Sequence, residues 1–142
     1  ADPGALLQRL YKDMGGLGST TEGRYDTAYS ALSAILRNNV LPPKHEAATY
    51  RALKMIPGVT LVRKADAAGR PAIGLARVAE GWLHQEVLLD PETYTYLGER
   101  SIAIKDHRID GLDLKATIRK GTLQLLEVRL EAGIVDKPGQ RP

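Results

Sequence analysis

The chain has 142 residues, of which 43% are hydrophobic and 26% are charged, so it can bury the core of one soluble domain. It contains no cysteine, which excludes disulfides and cysteine-ligated metal sites. The net charge is +3, but basic and acidic residues are interleaved along the chain. This pattern indicates a mixed solvated surface and not a nucleic-acid-binding face.

Three helices are predicted in the first part of the chain. Apolar residues at three- and four-residue spacing predict the first from Leu6 to Met14. The second is predicted from about Asp26 to Asn38, with Asp26 or Thr27 as its N-cap. The third begins at Pro43, because proline is well tolerated in a first helical turn, and stops at Pro57-Gly58.

A glycine-rich segment from Gly16 to Thr21 separates the first two helices. It is a candidate phosphate-binding loop by composition alone. However, it follows a helix and not a strand, and no Gly-Lys-Ser/Thr sequence is present. A linker is therefore the preferred interpretation, with Gly15-Gly16 ending the first helix.

Strands are predicted in the rest of the chain, where apolar residues tend to alternate with polar ones. Asp90-Pro91-Glu92-Thr93 is a strong turn sequence, since aspartate can bond the backbone ahead of it and proline fixes φ. Residues Asp106 to Gly111 are polar and are predicted to form a loop. The predicted strands are Val59–Ala65, Ala72–Val78, Trp82–Leu89, Tyr94–Ile104, Leu112–Ile118 and Leu123–Val135, with a bulge near Leu125-Leu126 in the last.

This order predicts an α+β fold in which N-terminal helices pack on one face of a curved antiparallel sheet of about five to six strands in meander order. Residues 1–24 would form an N-terminal helix and Gly-rich linker, and residues 25–135 a single α+β domain. Residues 136–142 contain no apolar side chain apart from proline and are predicted to be an exposed tail.

The closest approach to a metal or acid–base pair is His84 with Glu86, which share a strand face. A third ligand would have to come from elsewhere, so a solvent-facing pair on the outer face of the sheet is preferred. Asp106, His107, Asp110 and Asp113 form a cluster that does not follow the calcium-loop spacing, and a polar turn is the preferred interpretation. No catalytic residue, metal site or cofactor is predicted.

Tyrosines offer a different kind of site. Tyr94 and Tyr96 are expected on one strand face near the hairpin turn, and Tyr25 and Tyr29 along one side of the second helix. If the two surfaces meet, the pairs form a core seam; if they splay apart, they line an apolar groove. Core packing is the preferred interpretation. If a ligand or partner surface exists, its candidate residues are Leu32, Leu36, Trp82, His84, Tyr94 and Tyr96.

Several short motifs between Tyr25 and Pro142 occur in a fixed order. They are Leu41-Pro42-Pro43 through Tyr50-Arg51-Ala52-Leu53, Ile56-Pro57-Gly58-Val59, Asp66-Ala67-Ala68-Gly69-Arg70, Asp90-Pro91-Glu92-Thr93-Tyr94, Leu97-Gly98-Glu99-Arg100 and the ending from Val135 to Pro142. In this order they resemble a family of actinobacterial membrane-anchored proteins. The resemblance implies an extracytoplasmic domain preceded by a membrane helix, in proteins often associated with sigma-factor regulation.

Two functions are therefore expected. The first is a non-enzymatic extracytoplasmic sensor or protein-interaction domain, attached to the membrane through an upstream anchor, with an envelope protein as its partner. The alternative is a carrier of lipid or another small apolar ligand in a cavity between sheet and helices. The carrier interpretation rests on architecture alone.

Overall fold

A computed structural model describes residues 2–13 and 20–142 of the chain. Within them, three helices precede the strands, which confirms the predicted α+β class. The elements are α1 (Pro3–Asp13), α2 (Thr21–Asn38), α3 (Pro43–Met55), β1 (Thr60–Ala67), β2 (Arg70–Ala79), β3 (Leu83–Leu89), β4 (Tyr96–Ala103), β5 (His107–Asp110), β6 (Lys115–Ile118) and β7 (Leu123–Val128). Gly15 and most of the predicted linker lie outside the described residues.

The helices form one compact unit together with the C-terminal segment Arg129–Pro142. All three helices contact one another, and each of them contributes buried apolar residues, although on α1 this is Leu7 alone. The start predicted for α2 at Asp26 was wrong. Thr20 is the N-cap, and its hydroxyl oxygen accepts a hydrogen bond of 3.0 Å from the Gly23 N–H. Because this cap precedes the first apolar residue by several positions, the apolar pattern alone placed the helix start too late.

Arg129 caps the C-terminal end of α2. Its Nη2 atom donates to the carbonyl oxygens of Leu36, Arg37 and Asn39, at 2.6, 2.9 and 3.3 Å. The last carbonyls of a helix have no partner within the helix and carry the negative end of its dipole. A cationic side chain from a distant part of the sequence therefore satisfies them.

The second unit, Gly58–Val128, contains a five-stranded antiparallel sheet. The strand order is β1-β2-β3-β4-β7, so the first four strands form the predicted meander. The register irregularity predicted near Leu125-Leu126 occurs between the pairs Ser101–Leu125 and Ile102–Leu123. The predicted end of the last strand at Val135 was wrong, because β7 ends at Val128, where its pairing with Gly98 of β4 also ends.

The segment between β4 and β7 differs from the prediction. His107–Asp110, predicted as a loop, is β5, and it pairs with β6 in a separate two-stranded sheet. The predicted strand Leu112–Ile118 is shortened to Lys115–Ile118, and Leu112 lies in the hairpin loop. Strand β5 has one aliphatic residue, Ile109, so its composition resembled that of a loop.

The predicted Asp90 turn is present, and it is longer than expected. Asp90 Oδ1 accepts hydrogen bonds from the Glu92 and Thr93 N–H groups, both at 2.9 Å. The Asp90 backbone N–H donates to the Thr95 carbonyl at 2.9 Å. Tyr94 has a φ of 60°, a left-handed conformation that is uncommon for tyrosine, so it ends the turn and does not begin the strand. Strand β4 starts at Tyr96 and not at the predicted Tyr94.

The Asp90 turn generates a pH-dependent stability. The Thr93 and Glu92 N–H groups, together with the Arg70 guanidinium, hold the pKa of the Asp90 carboxyl below its ordinary value of 3.8. Its carboxylate therefore stabilises the folded state above that ordinary value, and the contribution is lost as the pH falls through the lower folded pKa. Urea unfolding between about pH 6 and pH 2 should show that the stability difference between wild type and Asp90→Asn shrinks below about pH 4.

The exposed tail provides the control for this measurement. Asp136→Asn changes an exposed aspartate outside the turn and should match the wild type at every pH. A stability difference for Asp90→Asn that stays constant over the whole range would contradict the role assigned to the carboxylate.

Candidate functional site

An ionic cluster lies on one face of the five-stranded sheet. His84 and Glu86 are two residues apart on β3, and the register places Arg100 of β4 directly opposite Glu86. The His84 Nε2 atom is 3.0 Å from Glu86 Oε1, and Arg100 Nη1 is 3.8 Å from Glu86 Oε2. Three ionisable groups are thus brought together by strand pairing.

Apolar side chains surround this cluster. The register pairs Val78 of β2 with His84, Ile102 of β4 with His84, and Leu126 of β7 with Arg100. Directly paired residues of antiparallel strands share a face, so these side chains lie beside the ionic cluster. Val78 and Leu126 are 38% and 39% exposed. We call this surface the His84 face; it consists of Val78, His84, Glu86, Arg100, Ile102 and Leu126.

Glu86 differs from the expectation of a solvent-facing pair, because it is buried. The Glu86 Oε2 atom accepts no hydrogen bond from the described residues, although Arg100 lies within ion-pair distance. His84 was predicted as its partner, and the contact between them is present. Arg100 was missed, because its position opposite Glu86 depends on the register of the hairpin and not on a local motif.

Trp82 makes a second contact that sequence spacing did not indicate. Its ring stacks on the His107 imidazole, with ring centroids 4.0 Å apart and planes inclined by 5°. The two residues are separated by β3 and β4 in the chain. This stack links the loop before β3 to strand β5, so it joins the main sheet to the β5–β6 hairpin.

The acidic residues near His107 have structural partners. Asp106 accepts a hydrogen bond of 2.8 Å from the Lys120 N–H, which lowers the pKa of the Asp106 carboxyl, and Arg119 contributes to the same shift. Asp110 pairs with Arg108 at 3.0 Å. Within residues 2–13 and 20–142, no group of three or more His, Asp or Glu side chains is arranged to hold a metal ion.

The remaining candidate residues are Leu32, Leu36, Tyr94 and Tyr96. Leu32 and Leu36 are buried on α2. Tyr94 is 57% exposed in the turn before β4, whereas Tyr96 is 3% exposed and its hydroxyl donates to Glu99 at 2.6 Å. The two tyrosines therefore do not share a strand face as predicted. The carrier interpretation receives no support from this pair and stays a prediction.

No protein-family model, curated protein or solved structure matches this chain. The resemblance to actinobacterial membrane-anchored proteins therefore stays a prediction. None of the helices in the described part of the chain is long and apolar enough to cross a membrane.

The stack of Trp82 on His107 predicts a local effect of His107→Ala. Aromatic stacking contributes about 0.5–1.5 kcal/mol, so its loss should accelerate amide hydrogen exchange in β5 and β6 by roughly threefold to tenfold. Exchange in β3 should stay unchanged. His45→Ala is the matched control, since His45 is exposed on α3. Equal acceleration of β3 and β5 would show that the stack has no local role.

Proposed function

We propose that this chain is a non-enzymatic extracytoplasmic domain that senses or binds a partner protein, within an actinobacterial membrane-anchored protein. The His84 face is the observation that carries the proposal. It combines exposed apolar side chains with an arginine and a histidine grouped around a buried carboxylate. The order of the sequence motifs supports the assignment to the membrane-anchored family.

The chemistry of the His84 face suits protein recognition. Stable interfaces have an apolar centre in which arginine is enriched, and a few such residues supply most of the binding free energy. Leu126 provides apolar area beside Arg100, and Val78 provides it beside His84. A guanidinium has five N–H donors, so Arg100 can face Glu86 and still donate to a carboxylate of a partner.

Site-specific crosslinking tests this surface. A photo-reactive amino acid in place of Val78, in the intact gene product expressed in its native host, should crosslink to one envelope protein. Val40 is the matched control position, because it is also an exposed valine but lies outside the sheet unit. Arg100→Glu should reduce the Val78 crosslink at least about tenfold, since reversing a central interface charge costs several kcal/mol.

Two outcomes would contradict this assignment. One is an equal crosslink pattern from Val78 and Val40. The other is a Val78 crosslink that Arg100→Glu leaves unchanged while circular dichroism shows a folded domain.

The proposed location is tested separately by cysteine labelling. The chain has no cysteine, so Thr93→Cys introduces one reactive group at an exposed turn residue. In intact cells a membrane-impermeant maleimide should label this variant as fully as it does after lysis. The parent protein provides the background. Labelling that appears only after lysis would place the domain inside the cell.

A further inference from the structure

The two edge strands of the five-stranded sheet, β1 and β7, differ in how well they are protected against pairing with a further strand. Natural edge strands are commonly blunted by charges, proline or bulges, because their outer backbone groups can pair with another strand. Edge strand β1 carries Arg63, Lys64 and Asp66, and its pairing shifts register between Val62 and Ala65. Edge strand β1 therefore has the usual protection against strand addition.

Edge strand β7 also has a register irregularity, between Leu123 and Leu125, but it has fewer charged side chains than β1. It contains no proline and no basic residue, and Glu127 is its one charged side chain. Leu123 and Leu126 are exposed on it. An exposed apolar edge of this kind is a template for strand addition, in which the backbone of a partner supplies the hydrogen bonds.

We infer that β7 binds an extended segment of a partner protein by strand addition, and that this segment carries a lysine or arginine opposite Glu127. The inference rests on the proposed function and specifies the class of partner. Residues directly opposite across a strand pair have Cβ atoms about 5 Å apart, so a basic side chain at that position contacts the carboxylate.

The alternation of side chains along β7 predicts which kinds of residue flank the basic residue in the partner segment. Leu126 and Val128 pair with Arg100 and Gly98, so both lie on the side of the His84 face. Glu127 points to the opposite face, because side chains alternate along a strand. Residues on either side of the basic residue in the partner segment would then lie beside Leu126 and Val128. Apolar side chains at those two positions would extend the His84 face by one strand.

A synthetic peptide tests the inference with the whole chain. The probe is a capped seven-residue peptide with valine at alternate positions, lysine in the centre and threonine at the two others. In an NMR titration it should bind and protect β7 amides from exchange. A peptide with glutamate in the centre should bind about five- to tenfold more weakly, since favourable and repulsive cross-strand charge pairs differ by about 1–1.4 kcal/mol.

Matched variants separate edge binding from a change in folding. Leu126→Lys adds a charge to β7 and should weaken binding of the lysine peptide about tenfold, whereas Leu61→Lys makes the same change on β1 and should not. The two leucines are 39% and 44% exposed. Glu127→Lys should reverse the preference, so that the glutamate peptide binds more tightly.

Three results would overturn the inference: no binding of the lysine peptide, equal affinity for the two peptides, or equal weakening by Leu126→Lys and Leu61→Lys. Protection of β7 amides by self-association, without peptide, would also overturn it by assigning the edge to a second copy of the chain. Crosslinking at Val78 is independent of the peptide. A positive crosslink with a negative titration would retain the interaction domain and reject strand addition on β7.

Discussion

The pairing of β3 with both β2 and β4 determines the geometry of the sheet unit. Strand β3 is the middle strand of five and is in continuous register with β2 from Leu83 to Leu89. Val87, Leu88 and Leu89 are buried. Because side chains alternate with a period of two, a slip of one residue would exchange the faces of every side chain on the strand. The position of the ionic cluster on the sheet therefore depends on this register.

Residues at the ends of β3 help to fix that register. Glu80 and Gly81 both have positive φ values in the turn that precedes it, and Tyr94 has one in the turn that follows. Left-handed conformations are costly for residues other than glycine and persist when the surrounding structure requires them. In the turn that follows β3, the Asp90 side chain accepts two backbone hydrogen bonds, and these help to hold the turn in the conformation that includes Tyr94. The same turn keeps Tyr94 out of β4, so that β4 begins with Tyr96.

Local sequence patterns predicted much of the fold, but they did not predict the contacts between residues that are distant in the sequence. Alternation and turn residues predicted the meander, and Pro43 correctly marked the start of α3. The two-residue spacing of His84 and Glu86 correctly placed both on one face. Arg100 opposite Glu86, and Trp82 on His107, depend on strand register and on the path of the chain between distant strands. No local spacing carries that information. The short strand β5 was also missed, because it forms by pairing with β6 although its composition is polar.

The energetics of the ionic cluster favour a role in recognition over one in stability. Removing a carboxylate from water costs several kcal/mol, and neighbouring charges offset that cost only with good geometry and full hydrogen bonding. At Glu86 the offset is incomplete, since Oε2 is buried without a hydrogen bond from the described residues and the Arg100 Nη1 atom is 3.8 Å away. Val78 and Leu126 show that apolar residues fit on this face. A sheet that needed stability alone would gain more from another apolar residue at position 86. What the carboxylate does provide is an acceptor against which Arg100 and His84 are oriented, and oriented polar groups within an apolar surface would give the proposed interface its specificity.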